Sequence, residues 1–98
     1  MTRHSVLLLP DAEAEIREAL LWYRDRSAIA AEAFLDELSS VIDDLQSQPD
    51  TWPEDEDGVR HCILRRFPFN VYYVVDGRSV TVLAVAHHRR MPGYWRAR

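Results

Sequence analysis

Lysine is absent: all twelve basic residues are arginine. A guanidinium suits bidentate contacts with carboxylate or phosphate, and the bland alternative is a composition bias of a GC-rich genome. A single cysteine, Cys62, excludes an internal disulfide and leaves no partner for a CxxC metal or redox motif, so a buried apolar thiol is its expected role. Long apolar runs are missing as well, and none approaches the ~18 residues that a membrane span needs. The apolar opening Ser5 to Leu9 is halted by Pro10 and Asp11, too early for a signal-peptide core. The chain is therefore expected in the cytoplasm, with no membrane partner. There is no internal repeat, no low-complexity segment and no cofactor motif, and no cofactor is expected.

What is present fits one small domain over residues 1–98, with a hydrophobic share of 47% that argues against disorder. A chain of 98 residues buries roughly two-thirds of the surface its unfolded form exposes, enough for one core and not two. The net charge of -4 conceals a division. Up to Asp57 fifteen acids face four arginines; from Gly58 onward eight arginines face one acid, Asp76. This asymmetry predicts that the second half meets something anionic, nucleic acid or an acidic protein segment.

Residues 5–9 have the length of a strand. Asp11 is the expected N-cap of a first helix, with Glu13 and Glu15 favourably placed in the first turn. Ala12, Ile16, Ala19, Leu20 and Tyr23 trace one face of that helix, which should end near Arg26. Ser27 is the expected cap of a second helix, whose face is Ala30, Phe34, Leu38, Val41, Ile42 and Leu45 until Pro49 stops it. Pro49 to Gly58, with Glu54-Asp55-Glu56-Asp57, reads as a solvated loop; it lacks the spaced ligands and glycine of a calcium loop, and no metal is expected. Strands are predicted over Val59–Phe67, Phe69–Val75 and Arg78–His87, with a bend or bulge at Pro68. Asp76-Gly77 predicts a two-residue hairpin turn that pairs Val75 with Arg78 and, counting back, Tyr73 with Val80, Val71 with Val82 and Phe69 with Ala84, the last six being apolar or aromatic and sharing the face toward the helices. Asn70, Tyr72, Thr81 and Leu83 then take the opposite face. The fold class is α+β: an N-terminal strand, a two-helix hairpin and a three-stranded antiparallel meander.

Chemistry concentrates in the tract from His87 to Arg98. Imidazole serves as acid or base near neutral pH and arginine stabilises a phosphoryl transition state, so His87, His88, Arg90 and Tyr94 form a possible set for cleaving RNA through its 2′-hydroxyl. The alternative is a basic, aromatic tail that anchors a partner or packs on the sheet edge. His87 and His88 should point to opposite faces, which disfavours a two-histidine metal pair. Arg60, Arg65 and Arg66 make a second basic group. With Leu64, Arg66-Phe67-Pro68-Phe69, Val71-Tyr72-Tyr73, Val82-Leu83-Ala84-Val85, His87, Arg90, Pro92, Tyr94-Trp95 and Arg98, the chain resembles the RelE/ParE toxin superfamily over nearly its whole length.

That resemblance implies a toxin neutralised by a cognate antitoxin in a hetero-oligomer, with Arg60, Arg65, Arg66, Arg89, Arg90, Tyr94 and Trp95 as the residues expected to meet antitoxin or target. It leaves two targets open. RelE-like members cut messenger RNA on the ribosome, and Tyr94, His88 and Arg90 fall where that type places its working groups. Asn70 falls where the same type has a catalytic arginine on the middle strand, and a neutral amide supplies no phosphate-stabilising charge. ParE-like inhibition of DNA gyrase, without nuclease chemistry, is therefore the leading expectation. A non-toxic interaction module of the same fold is the third reading.

Overall fold

A computed structural model describes residues 3–98. Its elements run β1 (Ser5–Leu8), α1 (Pro10–Arg26), α2 (Ala28–Ser47), β2 (Arg60–Ile63), β3 (Phe69–Asp76) and β4 (Ser79–His87), with 3₁₀ turns at Pro49–Thr51 and Tyr94–Ala97. The sheet order is β1-β4-β3-β2. β1 lies parallel to β4, while β2, β3 and β4 form an antiparallel meander.

The helix boundaries follow local chemistry. Pro10 opens α1 rather than merely ending the strand: it takes the first helical position, where a missing N–H is harmless, and Leu9 is the cap residue without a side-chain bond. Asp11 therefore sits inside the first turn beside Glu13 and is not the cap. Ser27 caps α2 as expected, its Oγ accepting from the Ala30 N–H at 3.2 Å. One core joins Ala12 and Ala19 of α1, Phe34, Leu38 and Leu45 of α2, and Val71, Tyr73, Val80, Val82 and Val85 of the sheet. Phe34 anchors an aromatic group in which Tyr23, Phe67 and Phe69 lie within 5.5 Å of it.

The hairpin register differs from the expectation. Asp76 pairs with Ser79 and Val75 with Val80, so the two turn residues are Gly77 and Arg78. Gly77 has φ of 59°, while among the described residues none other than glycine has positive φ. Glycine at the first turn position alone matches a type II′ turn rather than type I′. The two-residue offset preserves the faces near the turn, because side chains alternate with period two. Farther along, the pairing shifts between Tyr72 and Tyr73: Tyr73 faces Val82 and Tyr72 faces Ala84, which leaves Leu83 as a bulge. The bulge turns Ala84 away from the helices, against expectation, and brings Val85 into the core instead.

β2 is also shorter than the predicted Val59–Phe67. Pairing stops at Ile63, and the chain bends through residues 65–68. The backbone N–H groups of Arg65 and Arg66 leave the ladder to bond the Glu37 carboxylate of α2, so Pro68 interrupts no hydrogen bond.

Candidate functional site

A bulge frees backbone groups, and these freed groups organise the C-terminal tract. β1 accompanies β4 only as far as Val82, so the Leu83 carbonyl and the Val85 N–H have no strand beside them. Glu15 of α1 accepts from Val85 N–H at 2.9 Å. Arg98 donates to the Leu83 carbonyl at 3.0 Å and to Glu15 at 2.7 Å. The Tyr94 hydroxyl also donates to Glu15. One carboxylate, with its side chain 13% exposed, thus joins α1, the bulge and both ends of the terminal turn. Burial, and then the bond to Glu15, push the Tyr94 phenol up to about 12.

The tail lies across the sheet face opposite the helices. Trp95 stacks on Tyr72, ring centres 5.0 Å apart, and is buried with Val59 and Ala84 against Val74 and Leu83. Arg96 holds the tail from the other side through Asp57 at 2.6 Å and Asp55 at 2.9 Å. Asp55 lies below the ordinary carboxylate range, first because it accepts from Val59 N–H, and further through Asp57 N–H and Arg96. The acidic loop is therefore a structural clamp as well as a solvated segment.

The predicted site residues are not all at one place. Arg60 is paired with Glu54 at 3.0 Å and Asp50 at 3.6 Å, and Trp95 is buried; both serve the fold. Arg66 pairs with Glu37 at 3.7 Å yet keeps 62% of its side chain exposed. Arg65 and Arg89 are exposed. Arg90 places its guanidinium 3.9 Å from the Tyr94 ring centre. His87 and His88 do diverge. The His87 ring packs edge-on against Phe69, and burial, with Arg89 and His88 adding like charge, lowers its pKa. His88 turns to the other face, its Nε2 at 3.0 Å from Asn70 Oδ1.

Two concavities flank this tract. A groove of about 500 Å³ runs between α1 and the end of β4, lined by Trp22, Tyr23, Pro68 and Phe69, with Glu15 and Glu18 on the α1 side and His87, Arg89 and Arg90 at the β4 end. Trp22 leaves 52% of its surface in solvent there. A smaller pocket lies on the far face near Asn70 and Tyr72. Glu15 and Arg98 were missed as partners by sequence reasoning, since nothing in the spacing of residues so far apart signals their contact. Among the described residues no group of three His, Cys, Asp or Glu side chains could hold a metal ion, and no helix is long and apolar enough to cross a membrane.

The family model for the ParE toxin of the type II toxin-antitoxin system, parDE, matches residues 6–92. Among solved structures, the chain is similar to the chromosomal ParDE TA system from P. aeruginosa, at 20% identity and a TM-score of 0.73 over 86% of this chain and 95% of the other. That likeness establishes the fold. No curated protein matches the chain.

Proposed function

Because the chain belongs to the ParE toxin family of type II toxin–antitoxin systems, we propose that it arrests growth by inhibiting DNA gyrase, does not cut RNA, and is neutralised by a cognate antitoxin. The observation that carries the non-nuclease part is the engagement of Tyr94. Cleavage through a 2′-hydroxyl needs a base, a cation on the phosphate and an acid, all within reach of one site. Here the Tyr94 hydroxyl is bound to Glu15, Arg90 stacks on the same ring, His87 faces the helix side, and the middle strand offers Asn70. His87, His88, Arg90 and Tyr94 border one small pocket, but the Tyr94 hydroxyl is engaged by Glu15 and the middle strand carries a neutral amide where a phosphodiester would need a cation.

Neutralisation is supported by the groove along α1. Its apolar floor and the arginines at its end fit an amphipathic, acidic segment that folds on binding. Arg66, Arg89 and Arg90 are the residues proposed to meet its carboxylates, with Arg65 beside them. Cytoplasmic residence accords with either target. The test is expression of the chain alone, with plasmid topology and mRNA ends followed in the same arrested cells. Relaxed plasmid, intact mRNA and rescue by the neighbouring gene product are expected. Codon-phased mRNA cleavage that disappears in Tyr94→Phe would replace this reading with a RelE-like ribonuclease, and unimpaired growth would reduce the chain to a non-toxic interaction module.

A further inference from the structure

The α1 groove carries fixed charge of both signs, on opposite sides. Glu15 and Glu18 lie on the helix wall and Arg89 and Arg90 at the end of β4, with the rings of Trp22 and Phe69 among the apolar groups that line it. Glu15 is already committed to Val85, Tyr94 and Arg98. Glu18 is not: it is exposed, and among the described residues it enters no ion pair. Its own helix supplies no partner either, since the neighbours three and four positions away are Ala14, Glu15, Leu21 and Trp22, where a helical ion pair would need a cation. Arg89 and Arg90 are exposed and likewise enter no ion pair among the described residues. Burial, with Arg89 and His88 adding like charge, holds His87 below its ordinary value, so the two arginines set the charge of that wall.

Opposite charges that face one another across a groove without pairing are complementary to an occupant that is itself polar across its width. A uniformly acidic segment satisfies Arg89 and Arg90 but sets carboxylates against Glu18, and like charges juxtaposed at an interface are unfavourable. A nucleic-acid backbone, anionic throughout, meets the same conflict. We infer that the segment occupying this groove carries a basic side chain toward Glu18 and acidic side chains toward Arg89 and Arg90, flanking an apolar ridge that packs on Trp22 and Phe69. This rests on the antitoxin reading given above and narrows the partner: the arginines attract an acidic flank, while Glu18 selects against a segment that is acidic on both flanks.

The test uses the full chain and the protein encoded by the neighbouring gene, with affinity measured by calorimetry at low and high salt and the Trp22 indole N–H followed by NMR. Glu18 and Arg89 are exposed, so their variants should keep the native urea midpoint. Binding should shift the Trp22 resonance. Glu18→Gln should weaken binding about threefold and Glu18→Arg about tenfold at low salt, both losses shrinking at high salt. Glu18→Arg combined with Arg89→Glu should weaken it about a hundredfold, the two losses adding because each flank of the partner then meets its own like charge. Tighter binding by Glu18→Arg, or recovery of Arg89→Glu by it, would mean an occupant acidic on both flanks and would overturn the proposal. So would unchanged affinity in Glu18→Arg, binding that leaves Trp22 unmoved, or a Trp22 shift that follows the chain's own concentration, which would give the groove to a second copy. Any of these, seen alongside binding of the neighbouring product, leaves the antitoxin reading standing, whereas no binding to the native chain removes both.

Discussion

Glu15 is the residue on which the terminal tract depends. Its carboxylate takes a backbone N–H, a phenol and a guanidinium; without it the first two lose their acceptor, while Arg98 keeps the Leu83 carbonyl and Asp11. Glu15→Ala should therefore destabilise the chain by about 3 kcal/mol in urea unfolding, well above the cost of an exposed salt bridge. Glu15→Gln keeps acceptor geometry for part of the set and should cost less than Glu15→Ala. Tyr94 gives the same network a signature in pH. Its folded pKa is about 12, raised from 10.0, so the folded state holds the proton that the unfolded state releases. The contribution is complete below the unfolded value and is lost as pH rises toward the folded one. Burial also raises Tyr73 and Tyr23, so a tyrosinate absorbance titration of Tyr94→Phe should show one late-ionising tyrosine fewer than the native chain, with the folded chain losing stability between those two values. Tyr94 ionising normally in the native chain would contradict the network.

At the scale of elements, the bulge at Leu83 and the tail that covers it form one unit. Trp95→Ala empties the far-face cluster and should cost about 3–5 kcal/mol in urea unfolding, while Gly77→Ala, forced to keep positive φ, should cost about 1 kcal/mol. A Trp95→Ala loss under 1 kcal/mol would mean that the tail is not part of the core. The start of α1 was read late, with Asp11 as its cap, because Pro10 itself is the first helical residue. The end of α1 near Arg26, the Ser27 cap and the Pro49 stop were legible in the sequence because each is set locally. The register was not, because Asp76-Gly77 and Gly77-Arg78 are both acceptable two-residue turns and only pairing across the sheet chooses between them. Nor was the bulge, which has no glycine or proline to mark it. Ala84 was misplaced for that reason alone. The same limit hid the tail: Tyr94, Trp95 and Arg98 were recognised as unusual, but their partners on α1 and β3 are distant in sequence.

For the whole molecule, the opposed charges of the two halves are in part internal complementarity. Arg60, Arg66, Arg96 and Arg98 are paired with carboxylates of the first half, so the arginine excess predicts fewer external contacts than its count suggests. Among the described residues Arg65, Arg78, Arg89 and Arg90 of the second half make no ion pair and are exposed, and of these Arg89 and Arg90 line the α1 groove. Arg89→Glu, which disturbs no ion pair among the described residues, should weaken antitoxin binding by about tenfold at low salt and by less at high salt, since screening removes the lost attraction. Equal affinity at both salt concentrations would remove Arg89 from the interface. The central claim is tested most directly by a supercoiling assay with purified bacterial gyrase, relaxed plasmid and the isolated chain, run beside translating ribosomes carrying a defined mRNA. Loss of supercoiling with intact mRNA is the predicted result; cleaved mRNA with gyrase fully active would contradict it.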